Sequence, residues 1–301
     1  MVDITHKNST LRKATAEAWI EVSSSATIEA ITEGKVPKGN VLEVARTAGL
    51  FGVKRTSDLI PDCHPLPVEF TQVNYEFHGL KVRILVEVHT VYKTGVEVEA
   101  MTGASIVALT MYDMLKPIDK NVVISSIGLV SKTGGKSQIK KDISEISVQV
   151  VVCSDRISSG EAMDQSGATL VQKLGGLGMK TESLCIIADD SQAIRNEVER
   201  AHDGGMQVIL FSGGTGVGPR DFTYSTLEDL MDEHLPGMVQ YGLQYGQARI
   251  PTAMLGRAIA GISRGMLVLG IPGSLGAAND YFHAWFPACL HALDMVKGEG
   301  H

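Results

Sequence analysis

Residues 68–88 run as two stretches in which apolar and polar side chains alternate. The first passes through Val73, Tyr75 and Phe77, the second through Val82, Ile84, Val86 and Val88, and His78-Gly79 parts them. A period of two marks a strand with one buried face, and the short glycine turn joins the two strands as a hairpin. Around the hairpin the pattern predicts an extended stretch near Ala16–Val22 and helices at about Ala26–Glu33, Val41–Phe51 and Thr102–Leu115, then a strand near Val122–Val130. Strands that return antiparallel with helices between them make an α+β layer fold.

The pattern then breaks at Ser131-Lys132-Thr133-Gly134-Gly135-Lys136-Ser137 and at the charged run Lys140–Glu145. A domain boundary is expected there, with residues 1–140 as one domain, 141–146 as linker and 147–301 as a second domain. Val148–Val152 is a β-branched run, as expected of a strand buried on both faces. Strand and helix alternate after it: helix Gly167–Leu174, strand Ser183–Ile187, helix Ala193–Ala201, strand Gln207–Phe211, strand Met266–Gly270 and a helix from about Ala277. This succession predicts an α/β fold of three layers, a doubly wound, mostly parallel sheet with helices on both faces.

Composition narrows the function classes. At 301 residues the chain can hold two domains, each with its own core. No apolar run approaches the ~18 to 20 residues that span a bilayer, and the first residues lack a long apolar stretch, so a cytoplasmic protein without membrane partners is expected. Cys63, Cys153, Cys185 and Cys289 are scattered without a Cys-x-x-Cys pair, which suggests reduced, mostly buried thiols. The net charge of −7 falls almost wholly after residue 145, against bulk nucleic-acid binding. Lysines in the first half can still line a cleft for a phosphorylated small molecule.

Candidate chemistry collects at element ends. If Gly95–Glu99 is extended, Glu97 and Glu99 share one face, where each raises the other's pKa and a cation, metal or substrate must offset the repulsion. Asp113 and Lys116 are three apart and share a helix face. Because the preceding turns are apolar nearly all round, that helix is expected to be buried, with the lysine pKa lowered towards a range useful for proton transfer.

Six ordered motifs then carry a resemblance. Lys38-Gly39-Asn40-Val41, Lys54-Arg55-Thr56, Ile60-Pro61-Asp62-Cys63-His64-Pro65-Leu66, Gly95-Val96-Glu97-Val98-Glu99-Ala100-Met101-Thr102, Tyr112-Asp113-Met114 and Lys132-Thr133-Gly134-Gly135-Lys136-Ser137 resemble, in that order, cyclic pyranopterin monophosphate synthase of molybdenum cofactor biosynthesis. The resemblance implies a ferredoxin-like α+β fold, assembly as dimers to hexamers, and an active site at a subunit interface. It implies conversion of 3′,8-cyclo-7,8-dihydro-GTP to cyclic pyranopterin monophosphate and pyrophosphate, without a cofactor. Asp113 and Lys116 would be the acid/base pair and Lys38 a further catalytic residue. His64, Glu97 and Glu99 would hold the guanine-derived ring, and Lys54 and Lys132 would neutralise phosphate. Asp62 stands where an apolar residue is expected.

In the second half, Ser212-Gly213-Gly214-Thr215-Gly216 follows a strand, where backbone N–H groups can approach a phosphate. Ser154-Asp155-Arg156, Ala188-Asp189-Asp190, Gly218-Pro219-Arg220-Asp221-Phe222-Thr223 and Pro272-Gly273-Ser274 also lie at strand ends or close after them. With Asp164-Gln165-Ser166-Gly167 they resemble the molybdopterin-binding family that includes molybdopterin adenylyltransferase. The resemblance implies transfer of AMP from ATP to molybdopterin with Mg²⁺, and possible trimer contacts. Asp189 and Asp221 would be catalytic acids associated with Mg²⁺. Gly213, Gly214, Thr215 and Gly216 would embrace phosphate or pterin, with Asp155 and Ser274 completing the pocket. Tyr224 and Leu275 each replace an expected proline. The alternative is a half that binds pterin, or serves oligomerisation, without turnover. Sulfur must enter the pterin between the two implied steps, so direct channelling between the sites is not implied.

Overall fold

The computed structural model describes residues 1–135 and 142–298. The chain divides into two compact units, Met1–Gln138 and Ile139–His301. Residue 141 of the expected linker and Lys136-Ser137 of the glycine-lysine motif lie outside the described residues.

The first unit runs β1 (Thr10–Glu21), α1 (Ser25–Thr32), α2 (Val41–Lys54), the single turn α3 (Thr56–Leu59), β2 (Phe70–His78), β3 (Lys81–Tyr92), α4 (Glu97–Leu115) and β4 (Val123–Thr133). Its four strands form one antiparallel sheet in the order β2-β3-β1-β4. The inward positions of the central strands alternate as expected: Ala14, Ala16, Ala18 and Ile20 on β1, and Val82, Ile84, Val86 and Val88 on β3, all buried. Alanines on β1 let α4 lie close, and its Ala100, Ala104, Val107, Ala108 and Met111 fill the same core. Each fully buried valine or isoleucine there contributes about 1.5–3 kcal/mol.

Helix α2 is capped by the Asn40 side chain, which accepts from the N–H groups of Leu42 (3.1 Å) and Glu43 (3.2 Å). It packs on α4 through glycines, because a Cβ at Gly49 would overlap Val107 and one at Gly103 would overlap Val53. These pairs make the two helices antiparallel. Lys54, at the end of α2, therefore lies towards the start of α4.

Helix α4 begins at Glu97, not near Thr102, and this corrects the extended reading of Gly95–Glu99. Carboxylates are favourable in a first helical turn, where backbone N–H groups and the helix dipole present positive potential. Two residues on a helix differ by about 200° of rotation, so Glu97 and Glu99 face apart rather than together.

The second unit runs β5 (Ser147–Cys153), α5 (Asp155–Ser158), α6 (Ser166–Gly176), β6 (Lys180–Thr181), β7 (Cys185–Ile187), α7 (Ser191–Asp203), β8 (Val208–Ser212), α8 (Thr223–Leu230), β9 (Glu233–His234), α9 (Pro236–Gln247), β10 (Ile259–Ser263), β11 (Met266–Ile271) and α10 (Leu275–Trp285). Among the described residues its sheet has the order β6-β5-β8-β11-β10-β9, with β7 also on β5. Strands β5 to β8 and β11 pair in parallel, whereas β10 is antiparallel to both neighbours.

Both faces of this sheet are covered. Val148, Val150, Val208, Leu210, Leu267 and Leu269 pack with Leu170 and Leu174 of α6 and Tyr281 and Trp285 of α10. The alternate residues Val151, Ile209, Phe211 and Val268 pack with Ile194 and Val198 of α7 and Leu227 of α8. A sheet sandwiched in this way leaves its strand ends as the place for polar chemistry.

Candidate functional site

The candidate residues of the first unit fall at opposite ends of α4. At its amino end, Lys132 on β4 reaches Glu97 at 3.0 Å. Burial would raise the Glu97 pKa, but hydrogen bonds from its own N–H and from Lys132, with the charges of Lys132 and Arg12, leave it lowered. Glu99 points inward and is 3 % exposed. Burial raises its pKa, the charge of Glu97 adds to that, and hydrogen bonds from its backbone and from Cys63 only partly offset it. Cys63 Sγ donates to Glu99 Oε1 at 3.2 Å, while Oε2 is buried without a partner. Burial and the adjacent carboxylate push the Cys63 thiol up to about 11. His64 follows in the same turn and is half-buried.

Arg12 on β1 completes this end, and sequence reading missed it. It sits in a charged Leu-Arg-Lys stretch of a strand, and only the fold brings it to Glu97. The signal that could have found it is the pair Gly134-Gly135: a Cβ at Gly135 would strike the Arg12 guanidinium.

At the carboxyl end, Asp113 lies between two lysines, 2.6 Å from Lys38 and 2.7 Å from Lys116. Lys38 also donates to the Asp113 carbonyl at 2.9 Å. Hydrogen bonds from Lys116 and Lys38 hold the Asp113 carboxyl down to about 2. The expected lowered lysine is not found. The Lys116 side chain is 54 % exposed, and its hydrogen bond to Asp113 raises its pKa, because an ion pair in partial contact with water outweighs weak desolvation. Glu97 and Asp113 are sixteen residues apart on one helix, roughly 24 Å at 1.5 Å per residue, so one chain does not bring the two clusters together.

In the second unit the carboxyl ends of β5, β7, β8 and β11 converge on a cavity of about 700 Å³. Asp155, Asp189, Asp221 and the loop Gly213–Gly216 all line it. The loop needs glycine: Gly213 (φ 102°) and Gly214 (φ 61°) are left-handed, and a Cβ would strike the Cys153 carbonyl at the first and Asp189 at the second. Asp155 accepts from the Asp189 N–H at 3.0 Å and pairs with Arg220 at 3.4 Å. Asp221 accepts from the Gly218 N–H at 2.7 Å. Burial raises Asp189 to about 6; a hydrogen bond from the Phe222 N–H opposes this, and the charges of Asp221 and Asp155 add to it. Such a carboxylate gains by meeting a cation.

Ser274 does not line this cavity. Its hydroxyl accepts from the Ala277 N–H at 3.2 Å as the cap of α10, and it borders a smaller cavity of about 180 Å³ that shares Gly256 and Pro272 with the first. Asp164 likewise caps α6, accepting from the N–H groups of Gly167 (3.0 Å) and Ala168 (2.8 Å). Among the described residues no group of three or more His, Cys, Asp or Glu could hold a metal ion by itself. Asp189 and Asp221 would serve Mg²⁺ only as partial ligands, because Mg²⁺ is commonly held by one or two carboxylates together with substrate phosphates and water.

Residues 1–135 match the MoaC family, and residues 149–291 match a family described as "Probable molybdopterin binding domain". The two matches, on the two compact units, make this a two-domain protein of molybdenum cofactor biosynthesis. The chain belongs to the family of molybdenum cofactor biosynthesis bifunctional proteins: it is 41% identical over 301 residues to that of Chlorobaculum tepidum, covering 100% of this chain and 96% of the relative. Its first part is 50% identical over 139 residues to the cyclic pyranopterin monophosphate synthase of Clostridium perfringens, covering 46% of this chain and 87% of the relative. Its second part is similar to the solved structure of the molybdopterin biosynthesis Mog protein from Mycobacterium ulcerans, with 28% identity, a TM-score of 0.47, and coverage of 50% of this chain and 99% of the other. No helix among the described residues is long and apolar enough to cross a membrane.

Proposed function

We propose that the first unit converts 3′,8-cyclo-7,8-dihydro-GTP to cyclic pyranopterin monophosphate and pyrophosphate, and that the second binds molybdopterin and adenylylates it with Mg-ATP. The observation that carries the first reading is Asp113 held between Lys38 and Lys116. The β-α-β-β-α-β succession and sheet order also support the ferredoxin-like assignment. Lys116, protonated beside an ionised Asp113, is placed to donate a proton, and the aspartate to steer its return. Lys38 and Lys116 also supply positive charge for the triphosphate. Glu97 offers a carboxylate acceptor to the N–H donors of a guanine-derived ring, with Lys54 and Lys132 as cations at the same end, and the buried Glu99 acts on that end through Cys63, next to His64. A nucleotide cannot bridge the two ends of α4 in one chain, which supports a homo-oligomer in which the ends of different copies meet.

For the second unit, the left-handed glycine loop offers backbone N–H groups to a phosphate, and Asp189 and Asp221 would hold Mg²⁺ jointly with that phosphate. Bound there, Mg²⁺ would neutralise charge on the phosphate oxygens. Asp155 fixes the Asp189 backbone and Arg220, so its role is to orient both. Ser274 acts on this pocket through the start of α10 rather than by lining it.

The full-length protein should form cyclic pyranopterin monophosphate and pyrophosphate from the cyclised nucleotide, and Lys116→Ala should reduce turnover at least about a hundredfold. Undiminished turnover of that variant would refute the assignment. If molybdopterin binds but no adenylylated product forms with Mg-ATP, the second unit is the non-catalytic pterin-binding scaffold instead.

A further inference from the structure

Three arginines line the large cavity of the second unit, and they are held differently. Arg156 is exposed. The Arg220 side chain is 82% exposed and spends its charge on Asp155. Arg257 is half-buried, and its partners are uncharged: Nη1 donates to the Gly216 carbonyl at 3.1 Å, and the guanidinium lies 4.1 Å from the centre of the Tyr224 ring. The ring is itself braced, since the Tyr224 hydroxyl is 3.3 Å from Glu228 one turn along α8. Helix α8 is tied to the glycine loop through the Thr223 N–H, which donates to the Gly214 carbonyl at 2.9 Å.

The charge balance makes this placement consequential. Asp155, Asp189 and Asp221 oppose any anion that enters, and Arg220 already compensates one of them. Arg257 brings a full positive charge that no carboxylate among the described residues consumes, on a guanidinium with five N–H donors of which Gly216 takes one. An arginine fixed on two sides before binding loses little rotamer freedom on gripping a phosphoryl group with two parallel hydrogen bonds.

We infer that Arg257 is a phosphate-binding residue of this cavity and that Tyr224, the residue at which this chain departs from the expected proline, is the positioning residue that sets it. The inference rests on the reading of the cavity as a site for phosphorylated ligands. The phosphoryl group can belong to a nucleoside triphosphate or to a pterin monophosphate, and the test separates them.

Calorimetric titration of the full-length protein with Mg-ATP, pyrophosphate, inorganic phosphate and adenosine provides that test. Arg257→Ala should weaken Mg-ATP and pyrophosphate by about tenfold to a hundredfold, with adenosine unchanged, if the triphosphate is gripped. Loss confined to inorganic phosphate would assign the grip to a monophosphate. Tyr224→Phe keeps the ring face and loses only the Glu228 brace, so it should lose no more than about twofold, whereas Tyr224→Ala should lose about threefold to tenfold. If Arg257→Ala keeps its thermal transition and binds every phosphate probe as tightly as the wild type does, the inference is overturned while the phosphate reading of the cavity stands. A wild-type protein that binds none of the phosphate probes overturns both.

Discussion

Asp189 carries the clearest conflict between folding and use. Burial lifts its folded pKa to about 6, above the ordinary aspartate value of 3.8, so between those values the folded state holds the proton more tightly than the unfolded one. Its contribution to stability therefore falls as pH rises through that window, and the proposed Mg²⁺ binding would strengthen over the same range as the carboxylate ionises. Asp189→Asn should raise the stability of the second unit at pH 8 by about 1 kcal/mol, after discounting for solvent screening, and abolish adenylyl transfer. Thermal denaturation and product assay check the two halves of this prediction. Glu99 is shifted in the same sense in the first unit, where burial raises its pKa. Glu99→Gln should raise KM for the cyclised nucleotide at least about tenfold in steady-state kinetics without loss of thermal stability. These opposed environments were not legible in sequence. Glu97 and Glu99 were visible as a pair, but their separate partners, Lys132 and Cys63, are supplied by β4 and by the turn before β2.

Helices α2 and α4 meet through glycines that sequence reading treated as unremarkable. Gly103 has no side chain because Val53 and Val86 occupy that space. Gly103→Ala should destabilise the first unit by about 1–3 kcal/mol through overpacking, measurable as a lower urea midpoint at unchanged slope. The strongly patterned elements were legible, since β3 announces itself by strict alternation and the parallel strands β5, β8 and β11 by continuous apolar runs. The start of α4 was not, because alternate glutamates imitate a strand although a helix N-terminus favours them. Nor were β10, which is short and interrupted by Gly261, and α9, where Gly242 and Gly246 dilute the helical pattern. Glycine at position 242 is required because a Cβ there would meet Tyr281 and Trp285, a contact visible only once α9 and α10 are packed.

At the scale of the molecule, the two ends of α4 impose an arrangement on the first activity. If a site is completed by a second copy, two inactive full-length variants, Lys116→Ala and Lys132→Ala, should recover up to about a quarter of wild-type turnover when refolded together, because a quarter of random pairings restores an intact end at one shared site. Absence of recovery would return the site to a single chain. The order of motifs along the chain announced two domains, whereas the meeting of distant residues depended on packing that no local pattern encodes. The central proposal is one chain holding two separate activities. Its most direct test is to assay both products with the wild type, Lys116→Ala and Asp189→Asn. The wild type should form cyclic pyranopterin monophosphate and adenylylated molybdopterin, and each variant should lose one product and keep the other; a wild type that forms only one product, or a single substitution that abolishes both, would contradict it.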